Sequence, residues 1–247
     1  VGDVAKFNPD QPRDEHGKYA PGGKKDDKTG DLFAIPRGVH DAIHDKLVET
    51  QGKDSYLFQP KQNEQQAKDL HTQLMDENNE VLQSITHPEK VALWDYVGTG
   101  YRIMNRSLRG DIGEDEKLSL TEMQSVGHID DLKSAIDKTA LKEDTVVYRG
   151  MKVKGELKAG NIIEDKGFVS TSTNPREARG FAITSSEGAV AMITLRAGAK
   201  AFPVNRDEQE VIVQAGSRFR VTKVTEEPYV QFGQETYRKV IEMEHLS

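Results

Sequence analysis

The chain has no cysteine, so disulfides, thiolate metal sites and cysteine nucleophiles are all excluded. Aromatic residues make up only 6% of it, with a single tryptophan, Trp94. No apolar run approaches the roughly 20 residues that a membrane-spanning helix needs. Basic residues are the minority charge, 34 Lys and Arg against 41 Asp and Glu. The resulting net charge of -7 argues against a generic nucleic-acid binder, although it leaves room for a local basic groove. No signal-peptide pattern is visible at the start, and Val1 in place of Met points to an excerpted or processed chain. What remains is a polar composition, 35% hydrophobic and 30% charged, on 247 residues. That length can bury a substantial core in one large domain or two small ones.

Residues 1–30 mix Lys, Asp, Gly and Pro without apolar periodicity and are near neutral. They read as a flexible arm, or one that orders only against a partner. From Leu32 to Gly127 the pattern is helical. Val39, Ile43 and Leu47 predict a short amphipathic helix ending near Gly52, and Leu70, Leu74, Leu82 and Ile85 predict another over about 62–85. His40 and His44 share a helical face, but no third ligand accompanies them, and solvent-facing histidines are the simpler reading. Thr86-His87-Pro88-Glu89 is a capping box with Pro in the first turn. Gly98-Thr99-Gly100 imitates part of a dinucleotide fingerprint, yet its third glycine and preceding strand are missing. Ile129, Leu132 and Ile136 mark the last clear helix.

After Thr145 the texture changes to short β-branched runs separated by Gly and Pro: 146–148, 167–173, 189–195, 211–213, 219–224 and 240–243. Pro175–Ala182 reads as one short helix between the second and third runs. Helices first and strands second predict an α+β fold: a helical lobe (31–144) packed on a mixed, mostly antiparallel two-sheet β-core (145–247).

One stretch stands out, Arg206-Asp207-Glu208-Gln209-Glu210-Val211-Ile212-Val213, where acidic residues crowd the mouth of an apolar run. In extended geometry Glu208 and Glu210 point to the same side of the sheet. Such a pair is either a solvated face or a site that holds water, a proton or a cation between carboxylates. Arg149, followed by Gly150, ends the first run; it is a bidentate clamp for phosphate or a surface Arg paired with a carboxylate. Alternation sends Ser170 and Ser172 to one face, where a small hydroxyl can fix a neighbouring carboxylate; the same Ser/Thr run also satisfies plain β-propensity. Tyr101 and Asn105 sit one helical turn apart, and with Tyr96 they read most simply as two core-edge tyrosines and a capping Asn.

Taken in order, Tyr148-Arg149-Gly150, Phe168-Val169-Ser170-Thr171-Ser172 and Glu208-x-Glu210, preceded by Tyr96-x4-Tyr101-x3-Asn105-x2-Leu108-Arg109, resemble the Arg–Ser–Glu class of mono-ADP-ribosyltransferases. The likeness is to the exoenzyme-toxin group that includes the iota-type actin-modifying toxins, and it spans about Leu93 to Glu244. It implies NAD+ as a substrate in a cleft between two roughly perpendicular sheets, beside the helical lobe. It further implies that Arg149 grips the NAD+ phosphates and that Gly150 offers backbone hydrogen bonds to the nicotinamide amide. Ser170 would position Glu210, while Thr171 and Ser172 shape the floor. Phe181 would face the nicotinamide, and Tyr101 and Asn105 would touch NAD+ from the helical lobe. Glu210 would be the catalytic glutamate and Glu208 would face the acceptor. In this family a Glu at that first position accompanies arginine acceptors, so the implied partner is a target protein with an acceptor arginine, with no metal and no membrane. Pro203-Val204-Asn205-Arg206-Asp207 departs from the family by lacking the aromatic that helps recognise a target.

The arm segment Arg13–Gly23 also resembles a linker of phage head-associated proteins. Delivery in a virion into a host cell, or secretion as a toxin, are the routes these likenesses imply. NAD+ glycohydrolysis and an inactive virion component are the alternatives to arginine transfer. Deleting residues 1–30 should leave catalysis intact, measured as nicotinamide release from NAD+; a large loss would make the arm part of the site.

Overall fold

The computed structural model describes residues 60–246, apart from 154, 183–187, 205–206 and 232–233. The arm, the helix expected through Val39, Ile43 and Leu47, and the His40/His44 pair lie outside the described residues.

The helical lobe starts with α1 (Pro60–Glu77) and α2 (Asn79–Ser84). The single helix expected over 62–85 is broken at Asn78, whose side-chain amide donates to the carbonyl of Leu74 at 2.8 Å. A short amide that satisfies the local backbone competes with helix continuation, and two helices result. The capping box forms as expected: Thr86 N donates to Glu89 Oε2 at 2.6 Å, and α3 (His87–Asp95) follows with Pro88 in its first turn. A π-helical turn, Tyr96–Gly100, joins α3 to α4 (Tyr101–Arg109). Here Gly100 has a packing reason, since a Cβ on it would lie 2.5 Å from Asp95 Oδ1, whereas one on Gly98 would meet nothing within 4 Å. Asp95 is itself held by His128 Nδ1 at 2.9 Å. A second capping box, Ser119 with Glu122, opens α5 (Leu120–Gly127), and α6 (Ile129–Asp137) closes the lobe.

The strands are β1 (Thr145–Lys152), β2 (Ile162–Asp165), β3 (Val169–Ser172), β4 (Gly188–Leu195), β5 (Ala201–Pro203), β6 (Glu210–Val213), β7 (Ser217–Gln231) and β8 (Gln234–Leu246). Helix α7 (Pro175–Ala182) lies between β3 and β4, with the bounds its sequence predicts. The spatial order is β2-β7-β8-β4-β1-β3-β6-β5. Every neighbouring pair is antiparallel except β4 with β8, so the fold is α+β with a mixed, mostly antiparallel sheet. In place of the two expected sheets, the strands form one eight-stranded sheet, because β1 and β3 pair at Tyr148 opposite Ser172 and so join a five-strand part to a three-strand part. The β1–β4 ladder beside it pairs eight residues.

Packing explains why β6 reads as an unbroken apolar run. Val211 and Val213 join a core with Leu74, Val147, Ile193 and Ile241. Ile212 points the other way, into a second core with Leu93, Tyr96, Met104, Leu132, Phe168 and Phe202. A strand buried on both faces loses the polar half of its alternation. Each such aliphatic side chain contributes about 1.5–3 kcal/mol when fully buried.

Glu89 ties this lobe together, accepting from Ser134 Oγ and Lys138 Nζ, both at 2.6 Å. Burial works to raise its carboxyl, but the bonds from Lys138, Ser134 and Thr86 outweigh it and bring the pKa down to about 2. A depressed folded-state pKa stabilises above the unfolded value and loses that stabilisation as pH falls through the folded one. Glu89→Gln should therefore cost on the order of 2–3 kcal/mol at neutral pH. In urea melts the gap between variant and parent should shrink from about pH 4 towards pH 2; a constant gap would deny the ion pair its role.

Candidate active site

A cavity of about 500 Å³ opens at the seam between β1 and β3, roofed by α4 and α7. All ten residues singled out from the sequence line it: Tyr101 and Asn105 from the lobe, Arg149 and Gly150 from β1, Ser170, Thr171 and Ser172 from β3, Phe181 from α7, and Glu208 and Glu210. What each does within that wall differs from the expectation in several places.

The two carboxylates do not share a strand. β6 begins at Glu210, while residues 207–209 form a turn in which Gln209 has φ 44, a left-handed conformation that few side chains adopt. Strand alternation, the reason given for their common orientation, is therefore wrong; a turn carries Glu208 to the cavity instead. Hydrogen bonds hold that turn at its tip. Ser172 Oγ donates to the carbonyl of Glu208 at 2.7 Å, and Thr173 N donates to the carbonyl of Gln209 at 3.0 Å. The buried Gln209 amide accepts from Asn174 Nδ2 at 3.0 Å and donates to the carbonyl of Asp207 at 3.0 Å. At the neck, Val204 N donates to the carbonyl of Glu210 at 2.8 Å. His71 Nε2, from α1, reaches the carbonyls of Val204 and Glu210 at 2.7 and 3.1 Å, which makes that nitrogen a donor.

Ser170 and Ser172 both face the cavity. Ser170 Oγ meets the Tyr96 hydroxyl at 3.0 Å. Tyr96 also receives Asn105 Nδ2 at 3.2 Å, and Asn105 Oδ1 accepts from Phe168 N at 2.7 Å. Asn105 is thus no helix cap: it is buried in mid-helix, fastening α4 to the start of β3. Burial foremost pushes the Tyr96 hydroxyl pKa up and nearby Glu210 adds to this, while Ser170, Asn105 and Arg149 oppose it. The Thr171 hydroxyl turns to the backbone of β6, donating to the carbonyl of Val211 at 2.7 Å.

Arg149 combines both of its sequence readings. It lines the cavity, and its Nη2 lies 3.6 Å from Asp165 Oδ2. Arg109 grips the same carboxylate in bidentate fashion, at 2.9 and 3.0 Å. Arg149 Nη1 is buried and has no hydrogen-bond partner among the described residues. Burial lowers the guanidinium pKa and Arg109 adds to this, while Asp165 and Tyr96 oppose it; an arginine stays charged under such shifts. Farther out, Arg106 pairs with Glu116 at 2.6 Å, and Arg102 Nε donates to the Tyr101 hydroxyl at 3.1 Å.

Gly150 has a packing duty as well as its place in the wall. A Cβ there would lie 2.4 Å from Ala178 O, 2.6 Å from Phe181 Cβ and 2.7 Å from Ala182 N. The missing side chain lets α7 lie against β1, which brings Ala178, and Phe181 at 54% exposure, to the cavity.

The family model for the ADP-ribosyltransferase exoenzyme matches residues 60–246. The chain belongs to this family. Among curated proteins it resembles Mav of Mycobacterium avium, which carries a provisional assignment as an NAD(+)–arginine ADP-ribosyltransferase, at 26% identity over 166 residues. That match takes in 66% of this chain but only 18% of Mav. Among solved structures, Vis toxin, an ADP-ribosyltransferase from Vibrio splendidus, shares the fold at TM-score 0.59 and 23% identity, over 84% of this chain and 90% of Vis. Vis has also been solved with agmatine. BECa, an ADP-ribosylating toxin of C. perfringens solved with NADH, follows at TM-score 0.57 and 22% identity, over 71% of this chain and 47% of BECa. In this ADP-ribosyltransferase-family domain, Arg149, Ser170, Glu208 and Glu210 line one cavity.

Sequence reasoning missed His71, Asp165, Asn174 and the role of Gln209. Asn174 carried a usable signal, because its Oδ1 accepts from Arg176 N at 3.0 Å in an Asx turn just before α7. His71 and Asp165 act on residues 133 and 56 positions away, and no local pattern announces them. Among the described residues, no group of three or more His, Asp or Glu could hold a metal ion. For Gly150→Ala, backbone atoms of α7 must move, and the expected cost is about 1–3 kcal/mol in a denaturant titration. A neutral substitution would mean that α7 is free to slide.

Proposed function

We propose that this domain transfers ADP-ribose from NAD+ to an arginine side chain, releasing nicotinamide. One observation carries the reading: Arg149, Ser170, Glu208 and Glu210 share a single cavity of about 500 Å³. The Mav assignment and the agmatine complex of Vis, agmatine being the decarboxylated form of arginine, support an arginine acceptor. The Glu at position 208 agrees with the family's usage for that acceptor. The residues also fit a pyrophosphate-bearing donor. Arg149 Nη1 is a buried donor without a partner among the described residues, and a phosphate oxygen would satisfy it.

In this reading the bond between nicotinamide nitrogen and ribose C1′ breaks, and its electron pair leaves with nicotinamide. Positive charge develops on the ribose, as in glycoside hydrolysis. The Glu210 carboxylate, fixed at the head of β6, stabilises that charge more in the transition state than in the ground state. Ser170, Tyr96 and Asn105 form the hydrogen-bonded floor beside it. Glu208 orients the guanidinium and accepts its proton as its nitrogen bonds to C1′. Preorganised groups of this kind need no rearrangement at the moment of reaction.

With labelled NAD+ and a cell lysate, the parent chain should label a protein band, and Glu208→Gln and Glu210→Gln should each abolish it. Glu210→Gln should slow nicotinamide release by at least about 10²–10³, by analogy with loss of one oxyanion-hole donor. Glu208→Gln should largely retain that release. Nicotinamide without any labelled band would point to glycohydrolysis, and no turnover of NAD+ with any lysate would sink both enzyme readings.

A further inference from the structure

We propose that Asn174 and Gln209 form a latch that positions Glu208, and with it acceptor use, separately from the NAD+-cleaving carboxylate Glu210. The proposal rests on the donor and acceptor roles given above. Its basis is that Glu210 stands in the β6 ladder, whereas Glu208 stands in a turn whose left-handed residue is bonded by the Asn174–Gln209 amide pair.

Glu210 sits in β6, opposite Ser172, and its carbonyl is held by Val204 N and His71 Nε2. None of these contacts involves Asn174 or the Gln209 side chain. Glu208 precedes the strand, and its place depends on the shape of the turn. That shape requires Gln209 at φ 44, a conformation that disfavours any residue with a Cβ and must be held from outside. The holding group is the buried amide pair. Asn174 Nδ2 donates to Gln209 Oε1, and Gln209 Nε2 donates onward to the carbonyl of Asp207. Gln209 is 5% exposed, as is Asn174, so the bond between them is made away from competing water. Asn174 in turn is bound by its own N–H to Ser172 Oγ, the group that donates to the carbonyl of Glu208. The latch thus links the carboxylate-bearing turn to the end of β3 and the start of α7.

A function follows from the division. Cleavage of the nicotinamide bond needs Glu210 in place; transfer also needs Glu208 aligned on an incoming guanidinium. Releasing the latch should blunt transfer and spare hydrolysis. Asn174 and Gln209 are therefore positioning residues that set the ratio of transfer to hydrolysis.

The test uses the full chain, NAD+ and agmatine, with Gln209→Gly, Asn174→Ala and the double variant. Gln209→Gly is suited to a left-handed position and should fold, even if Asn174→Ala weakens the start of α7. Each single variant should lower kcat for ADP-ribosyl-agmatine formation roughly 10-fold or more, since small misplacements of reacting groups are costly. Nicotinamide release without agmatine should stay within about threefold, with KM for NAD+ unchanged, because those contacts lie outside the latch. The double variant should fall well short of the product of the single effects, since both remove the shared Asn174–Gln209 bond. Amide hydrogen exchange across 207–210 should rise about 10-fold or more in each variant, a readout that needs no turnover. Parallel loss of both activities, multiplying effects in the double variant, or unchanged exchange would overturn the latch. A parent chain that releases no nicotinamide would overturn the transferase reading alone, with the exchange measurement still deciding the latch.

Discussion

The site depends on the narrow seam between β1 and β3. Where the neighbouring ladder pairs eight residues, β1 and β3 meet at Tyr148 and Ser172. Two strands joined so briefly can diverge, and the space between them is the cavity. The residues just beyond the shared pair become its walls: Arg149 and Gly150 on one side, Ser170 and the acidic turn on the other. Such an opening would collapse or flood unless something propped it. Helix α7 does so from one flank because Gly150 lets it touch the backbone of β1. Helix α4 does so from the other through Asn105, which holds both Phe168 N and the Tyr96 hydroxyl.

The same arrangement accounts for the buried polar groups around the cavity. Asn105, Ser172, Thr173, Asn174 and Gln209 are each no more than 7% exposed. Buried amides and hydroxyls are costly unless bonded, and these are bonded to one another, to the Tyr96 hydroxyl and to backbone groups at the start of β3, in the acidic turn and in α7, with Thr173 Oγ1 reaching the carbonyl of Ala67 on α1. A second buried network repeats the theme behind α7. Glu227 accepts from Arg238 Nε at 2.5 Å and from Arg179 Nη2 at 3.2 Å, tying the β7–β8 hairpin to the helix that carries Phe181. Removing one partner of such a pair leaves an uncompensated buried charge. Polar contacts fix where the walls stand, while the apolar cores on either side fix that the walls exist.

Much of this was legible in the sequence, for identifiable reasons. The capping box at Thr86 and helix Pro175–Ala182 are local, set by side chains within one turn, and the sequence locates both. The central strands announce themselves through β-branched runs buried on both faces. β2 does not, because it is an edge strand whose four residues are exposed or half-buried, and β5 is three residues ending in proline. The candidate residues converge in space because chain order and strand adjacency coincide at the seam. The reason given for the Glu208–Glu210 pair failed because alternation presumes an extended Gln209, and a single left-handed residue breaks that premise. Long-range partners such as His71 and Asp165 stayed hidden because a side chain meeting a distant backbone carbonyl or guanidinium leaves no periodic trace.

Asp165 shows why the cavity is not simply a basic groove. A carboxylate that accepts both bonds from Arg109 and lies 3.6 Å from Arg149 cancels part of the attraction an anionic donor would feel. Arg106 is likewise neutralised, by Glu116. If raw attraction were the requirement, these carboxylates would be a defect. Their presence fits a different requirement, two guanidiniums held at fixed angles before any ligand arrives. Two like charges this close repel unless an anion sits between them, and without Asp165 they would spread into solvent. Arg109 takes the bidentate share and is the anchor. Arg149 makes the longer contact, and its Nη1 is buried with no hydrogen-bond partner among the described residues; in the proposed reaction that nitrogen is the donor for a phosphate. In the reaction proposed above, a weaker field in a preset geometry would favour the orientation that places the ribose against Glu210, and orientation is what that chemistry requires.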